Sequence, residues 1–333
     1  MADMIDMSTG RAYYASTQQE WHIGHTKHGV LRPDASMDEW LKATGLDFQI
    51  KRAKIRYATT REAGLPGSRV SDLNEVDDKV VLFRGDTGAP LSVVSAGYKI
   101  VQPREMLEVF REWAERGGVS IESAGVLFDG KRYFATGKVA AAARDTVGKG
   151  DYIDNYILFS SSADQSLNTE GRPTAVRTVC ANTMAIALGD KACFKKSHRS
   201  IYKADDAKAA VEGAIKDFGA YMQMARALAG LRVRAKEAEE LTTALFTTAA
   251  RDADAARASA GFNKVLSLFS GSALGAGLET SRETGWGWLN AVTEYVDHHA
   301  RAHSDDNRLV SAIWGPGNDL KNRAKDLVYG TAA

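Results

Sequence analysis

The chain has 333 residues, of which 44% are hydrophobic, enough to bury the core of one large domain or two ordinary ones. Lys and Arg total 43 and Asp and Glu total 42, so the net charge of +1 excludes a chain that is basic throughout, and any nucleic-acid surface has to be a local patch. Two cysteines exclude a disulfide scaffold and fit a reducing compartment.

The first ten residues, MADMIDMSTG, lack the basic segment and apolar run of a secretory signal peptide. No stretch of the sequence approaches the roughly 20 apolar residues that a membrane span requires. We therefore expect a soluble, cytoplasmic protein without a membrane partner.

Residues 1–35 are mainly polar and predict an N-terminal arm, in which Trp21-His22-Ile23-Gly24 favours an aromatic anchor. A capping box, Ser36 to Glu39, predicts a short helix that stops at Gly45. The sequence FQIKRAKIRYATT, residues 48–60, then predicts a strand.

Strand alternation places three cations of this predicted strand, Arg52, Lys54 and Arg56, on the same face as Ile50. Their spacing is about 6.6 Å, twice the strand rise. One interpretation is a charged edge strand protected against aggregation. The other is a track for phosphates, with Phe48 and Tyr57 available for base stacking.

Further strands are predicted over residues 79–84 and 91–101, followed by a helix over 104–116 that begins at Pro103. Residues 119–139 predict a hairpin that turns at Asp129-Gly130. Gly125 to Lys131 spells G-x-x-x-x-G-K, but Arg132 replaces the Ser or Thr of a phosphate loop, so we reject nucleotide binding there.

The central segment predicts strands over residues 152–159 and 174–180, then a helix up to Leu188. This order would bring Arg177, Cys180 and Asn182 together at a strand–helix junction, with Asn182 capping the helix. Cys180 favours a small buried residue, because no histidine that could activate a thiolate lies near it in the sequence.

The segment KACFKKSHRSIYK, residues 191–203, mixes cations with aromatic residues, as single-strand grooves do. A solvated loop is the alternative. The nucleic-acid contacts predicted from the whole sequence are Arg52, Lys54, Arg56, Tyr57, Arg177, Lys195, Lys196, Arg199, Tyr202 and Lys203.

From residue 205 onward the composition becomes helical, with an apolar stripe between Val211 and Ala229 at steps of three and four. We expect this stripe to pack on the sheet or between subunits of a homo-oligomer. The sequence predicts three regions: an arm over 1–35, an α+β core over 36–204 and a helical region over 205–333.

Two groups of residues that contain aspartates are candidate catalytic sites. Asp297-His298-His299 resembles the Asp-His-His of metal phosphoesterases, although it falls on a predicted helix. Asp151 and Asp154 offer two acids without the lysine-bearing strand of a nuclease motif. Neither is a convincing constellation, so we predict no catalytic residues, no metal and no cofactor.

Four stretches carry a family resemblance that covers about residues 21–324: Trp21-His22-Ile23-Gly24, the heptapeptide that starts at Gly97, TAVRTVCANTMAIAL, and the long segment from Trp286 to Ala324. In these motifs the chain resembles the phage/plasmid-like proteins that carry the domain of unknown function DUF932. The resemblance implies a setting in prophages, phages and plasmids, in a bacterial host cell, and no established reaction. A more remote analogy links it to single-strand annealing proteins of the Red-beta and RecT kind.

We therefore expect an α+β fold with an antiparallel-rich sheet and a few helices, followed by a mainly helical C-terminal region. The expected function is single-stranded DNA binding in phage or plasmid DNA metabolism, including strand annealing and recombination. One alternative is a metal-dependent nuclease or phosphoesterase that uses Asp297 and His298. The other is a protein–protein interaction factor in counter-defence or host takeover.

Overall fold

The computed structural model describes residues 14–16, 35–62, 69–179, 182–185, 194–196, 204–247 and 252–330. Its fold is α+β, as predicted: antiparallel sheets are followed by a mainly helical region. The strands are β1 (Tyr14–Ser16), β2 (Ile50–Glu62), β3 (Arg69–Arg84), β4 (Pro90–Ser95), β5 (Val119–Leu127), β6 (Arg132–Val139), β7 (Arg144–Gly148), β8 (Asp151–Ser162), β9 (Thr169–Arg177), β10 (Asn182–Ala185) and β11 (Phe194–Lys196). The helices are α1 (Met37–Thr44), α2 (Pro103–Gly117), α3 (Ala204–Gly230), α4 (Ala235–Thr247), α5 (Ala253–Arg257), α6 (Ala260–Ser267), α7 (Gly285–Glu294), α8 (Asp305–Trp314) and α9 (Pro316–Gly330).

Local capping signals are confirmed in the first two helices. The Ser36 side chain accepts a hydrogen bond from the backbone N–H of Glu39, and the Glu39 carboxylate accepts one from the backbone N–H of Ser36. Helix α1 ends at Gly45, which has a φ of 68°. Helix α2 begins at Pro103 and is capped at its end by Gly118. These contacts span three or four residues, which is why the sequence alone identifies them.

The smaller sheet has the order β2-β3-β4, so β2 is an edge strand. Between Lys54 and Ile55 the pairing jumps from Val80 to Val76, leaving three extra residues of β3 in a bulge. Beyond the bulge, residues 55–62 and 69–76 form a two-stranded segment, which we call the β-ribbon. Eight paired residues extend it by about 26 Å. Each ribbon residue whose burial is described is exposed or half-buried.

The larger sheet has the order β1-β5-β6-β8-β9-β10, with β7 also pairing β8 and β11 also pairing β9. The predicted β5–β6 hairpin is confirmed, and Asp129 and Gly130 at its turn have φ values of 57° and 98°. Helix α2 covers one face, where the rings of Phe110 and Phe159 stack at 5.5 Å. The Gly125–Lys131 motif therefore lies in a hairpin and not in a phosphate loop.

The helix predicted to follow Asn182 is wrong over the residues that the structure describes. Asn182–Ala185 is strand β10, antiparallel to β9, with Asn182 opposite Arg177 and Ala185 opposite Thr174. The strand satisfies the backbone groups on the outer side of β9, and this pairing overrides the capping preference of Asn182. Cys180 lies outside the described residues.

The predicted long amphipathic helix is confirmed as α3, and its stripe is used within the chain. Val211 packs in the core shared with α2 and the sheets, while Phe218, Met222 and Ala225 belong to a second core with α7 and α9. Ile153 of β8 also packs in that second core. Thus the stripe packs within the chain, against both the larger sheet and the C-terminal helices. The predicted division near residue 205 stays a prediction.

None of the helices in the described ranges combines the length and apolar character needed to span a membrane.

Candidate nucleic-acid interface

The basic strand predicted from the sequence is β2, and its cations do lie on one side of the strand. At the Ile50 end of β2 this side faces the protein core, because Ile50 is buried and pairs with the buried Arg84. The Arg52 guanidinium reaches over the sheet and donates hydrogen bonds to the carbonyl oxygens of Ala96 at 3.2 Å and Tyr98 at 3.1 Å. Arg52 is therefore exposed but held against the β4–α2 connection.

Lys54 and Arg56 share one carboxylate of the neighbouring strand. Lys54 Nζ lies 2.6 Å from Glu75 Oε2, and Arg56 Nη2 lies 2.7 Å from Glu75 Oε1. The hydrogen bonds from Lys54 and Arg56 hold the pKa of Glu75 below its ordinary value. Both cations remain largely exposed, at 70% and 56%, so a phosphate that approached them would compete with Glu75.

Tyr57 lies on the opposite side of β2, directly across from Asn74, and 51% of it is exposed. An exposed ring on a strand offers a face on which a base can stack.

The second predicted basic segment is described only as β11. Lys195 pairs with Glu170 and Lys196 with Thr169 at the edge of the larger sheet. Arg199, Tyr202 and Lys203 lie outside the described residues.

Strand β11 and the smaller sheet both neighbour the β8–β9 turn. Ser92 of β4 donates a hydrogen bond to the carbonyl oxygen of Ala163 at 2.6 Å, and Gln165 donates to that of Val93 at 3.5 Å. These bonds place β4 beside the β8–β9 turn, whereas the basic strand β2 lies at the other edge of the smaller sheet, beyond β3.

Arg177 has to be removed from the candidate interface. Its side chain is 3% exposed and forms a bidentate pair with Asp151, which is fully buried, at 2.6 and 2.7 Å. Asp151 also accepts hydrogen bonds from Thr280 and Trp286. Because this guanidinium is enclosed by protein, it is not available to a phosphate; it links the larger sheet to the helical region.

The larger sheet contains a polar cluster that the sequence analysis missed. Asp154 accepts a bidentate pair from Arg144 at 2.6 and 2.9 Å and an ion pair from Lys138 at 3.2 Å. Nearby, the Tyr156 hydroxyl donates to Glu122 at 2.8 Å, and burial raises the pKa of Glu122. Polar residues at alternate positions of residues 132–139 and 151–162 were the available signal.

The acids weighed as nuclease residues do not converge. Asp151 and Asp154 have separate partners, Arg177 and Arg144. Asp297 is buried and its carboxylate lies 2.7 Å from the ammonium of the buried Lys321. Across the described ranges, no three His, Cys, Asp or Glu residues are grouped as metal ligands.

Comparison with known proteins gives one match. The model of the family described as "Domain of unknown function (DUF932)" matches residues 90–314. No curated protein and no solved structure matches the chain. The β-ribbon precedes the matched residues, and the analogy to annealing proteins stays a prediction.

Proposed function

The chain belongs to the family of the domain of unknown function DUF932, and from this premise we propose that it binds single-stranded DNA. The process it serves is phage or plasmid DNA metabolism, with strand annealing and recombination as the forms of that activity. Its proposed location is the cytoplasm of the bacterial host.

The observation that carries this proposal is the β-ribbon with the adjoining basic part of β2. Two-stranded ribbons are an established way of contacting nucleic acid, because a narrow element can follow a strand or enter a groove. Here the ribbon extends about 26 Å beyond the bulge. It carries Arg56 and Tyr57 exposed, directly after the exposed Lys54.

The ion pairs with Glu75 reduce the affinity of this surface for phosphate without abolishing it. Exposed ion pairs typically contribute about 0–1 kcal/mol, so a phosphate can replace Glu75 at low cost. Each phosphate contact with a single strand releases counterions and contributes about 0.7 to the slope of log K against log salt. Binding should therefore be moderate in affinity and sensitive to salt.

The first experiment measures binding of the full chain to labelled single-stranded and duplex oligonucleotides by fluorescence anisotropy across a salt series. The same measurement is made on a shortened variant, in which Asn-Gly replaces residues 57–74. This two-residue turn joins Arg56 to Glu75, which are paired in the ribbon. We expect salt-dependent single-strand binding by the full chain and a loss of at least about tenfold in the shortened variant, as expected for several lost contacts.

Two controls make this result interpretable. The shortened variant should keep its circular dichroism spectrum and its midpoint of thermal unfolding, since the ribbon makes no part of either buried core among the described residues. Oligonucleotide length should be unchanged after incubation with divalent metal. Absence of single-strand binding at low salt by the full chain would reject the proposed function.

A protein partner is the second candidate, and one observation favours it. Leu73 of the ribbon, which pairs with Ala58, is 65% exposed, more than any other large apolar side chain among the described residues. A partner protein would contact Leu73 and would be insensitive to salt. Leu73→Ser would then abolish partner binding while leaving oligonucleotide binding unchanged.

We also propose a homo-oligomer, although the α3 stripe does not support it, because its residues are buried within the chain. The outer edge of β2, which pairs with no other strand among the described residues, is the alternative contact for a second copy. A monomeric mass by light scattering at micromolar concentration would reject this part of the proposal.

A further inference from the structure

The smaller sheet has an outward face, opposite to the face that packs on the body. Ile50, Leu82 and Val94 are buried, so their neighbours along each strand point away from the core. Strand pairing places these neighbours side by side: Lys51 lies across from Phe83, and Ala53 and Val93 flank Val81. The outward face consists of Lys51, Ala53, Ile55 and Tyr57 of β2, Lys79, Val81 and Phe83 of β3, and Val93 of β4.

This face is apolar at its centre and open to solvent. Val93 is 57% exposed and Tyr57 is 51% exposed, while Val81 and Phe83 are half-buried. Strand β2 passes the bulge without an inserted residue, so Tyr57 stays on the same face as Lys51. Exposed contiguous apolar surface of this kind marks a binding site more often than ordinary surface does.

The cations of the outward face differ from those of the opposite face. Lys51 and Lys79 are exposed, and neither forms an ion pair or hydrogen bond in the part of the chain that the structure describes. By contrast, Lys54 and Arg56 are both held by Glu75. Asp77 and Asp78 precede Lys79 in the bulge and reduce the positive potential around it. Lys51 is therefore expected to attract a phosphate more strongly than Lys79 does.

We propose that the outward face is the surface on which the single strand lies, an inference that rests on the proposed function. The aromatic ring of Tyr57 and the ring of Phe83 receive bases, and Lys51 and Lys79 contact phosphates. A sheet that presents aromatic rings for stacking with cations around them is a general solution for single-strand recognition. The cations that the sequence singled out then lie on the wrong face to make the main contacts.

The test compares two double variants that remove the same charge from opposite faces. Lys51→Ala/Lys79→Ala removes the free pair, and Lys54→Ala/Arg56→Ala is the matched control. For the first, we expect the salt slope of single-strand binding to fall by about 1.4, or 0.7 for each lost contact. For the control, we expect less than half of that change.

Tyr57 provides an independent measurement on the same face. Loss of stacking in Tyr57→Ala should weaken binding about tenfold, whereas Tyr57→Phe keeps the ring and should stay within about twofold of the parent. All variants should unfold at the same temperature as the parent, because the substituted residues are exposed or lie at the sheet surface.

The possible outcomes test the inference about the outward face separately from the proposed function. If the parent chain binds and the control variant loses the larger slope, the inference about the outward face is overturned and the proposed function stands. The same holds if neither double variant changes the slope. If the outward variants change the mass measured by light scattering and leave oligonucleotide affinity unchanged, the face serves self-association instead. If the parent does not bind at all, both proposals fail.

Discussion

Two arginine–carboxylate pairs of this chain have similar distances and opposite surroundings. Arg56 lies 2.7 Å from Glu75 in the β-ribbon, with exposed fractions of 56% and 31%. Arg177 lies 2.6 Å from Asp151 where the larger sheet meets the helical region, with exposed fractions of 3% and 0%. The exposed pair is expected to contribute little to stability, because water and salt screen it. Breaking the buried pair by removing one partner is expected to cost about 3–5 kcal/mol.

The difference shows that the position of an arginine, more than its partner, decides what it does. Water around Arg56 screens its attraction to Glu75 and leaves the guanidinium free to exchange partners. Around Arg177 the protein supplies two hydrogen-bond acceptors on Asp151 and one on Ser281, the last at 2.7 Å. The buried arginine therefore connects distant parts of the chain and is shielded from solvent.

The largest effect should come from breaking the buried pair. Arg177→Met removes the guanidinium and leaves the Asp151 carboxylate without its charged partner, so the free energy of unfolding should fall by about 3–5 kcal/mol. Arg56→Met is the matched control and should change it by less than about 1 kcal/mol. Urea unfolding followed by circular dichroism measures both. Equal losses in the two variants would contradict the comparison.

The pH dependence of stability should show the same contrast. Burial opposes the ionised form of Asp151, but the hydrogen bonds and charge of Arg177, with Thr280 and Trp286, hold its pKa below the ordinary value. A carboxyl whose pKa is lower in the folded state stabilises the fold above the unfolded pKa, about 3.9, and this contribution is lost as the pH falls through the folded value.

The measurement is the difference in unfolding free energy between the parent and Asp151→Asn from neutral pH to pH 3. The parent's advantage should shrink as the solution is acidified through the range just below the ordinary Asp pKa. Because other buried acids titrate in both proteins, only this difference isolates Asp151. A difference that stays constant over the whole range would show that the pKa of Asp151 is the same in the folded and the unfolded chain.

A smaller effect, on binding affinity, should come from removing the carboxylate of the exposed pair. Glu75→Gln removes the carboxylate that holds Lys54 and Arg56, so the local charge near the ribbon becomes more positive. Single-strand affinity at low salt should rise by about two- to fivefold, the size expected from about one unit of exposed charge. The midpoint of thermal unfolding should stay nearly unchanged, because water screens this exposed pair. Unchanged affinity would mean that the nucleic acid does not approach the face of the ribbon that carries Glu75.

The smallest effect is expected at Asn182, which lies opposite Arg177 in the β9–β10 pairing. A strand position should accept Asn182→Val with a change within about 0.5 kcal/mol or a small gain, since β-branched residues favour strands. A helix cap at this position would instead lose about 1 kcal/mol. Thermal unfolding of Asn182→Val and Asn182→Ala distinguishes the two arrangements.

Much of the fold followed from patterns that act over a few residues. The capping box at Ser36, the proline and glycine that bound α2, and the stripe of α3 were all predicted from spacing alone. The pairing of residues 79–84 with the following strand was predicted for the same reason, since a short turn joins them. These features need no knowledge of the rest of the chain.

The sequence was less informative where pairing partners are distant or where a strand is solvated on both sides. Residues 69–78, RVSDLNEVDD, form the first part of β3 but show no apolar alternation, because neither face of the ribbon is buried. Because this part of β3 was not predicted as a strand, Glu75 could not be predicted as the partner of Lys54 and Arg56. The candidate interface was therefore only half described by the sequence, which gave the cations but not what neutralises them.

The sequence by itself determined the fold class, the helix ends, the main hairpin and the basic character of β2, because each depends on local spacing and side-chain type. Only the tertiary structure decided that Arg177 is buried against Asp151, Thr280 and Trp286, residues up to 109 positions away in the chain. It likewise decided that Asn182 joins a strand. It also decided that the smaller sheet has an outward face whose lysines, Lys51 and Lys79, form no ion pair with any described residue. The physical reason is that burial and pairing are properties of the assembled neighbours, and a charged residue reads the same in sequence whether water or protein surrounds it.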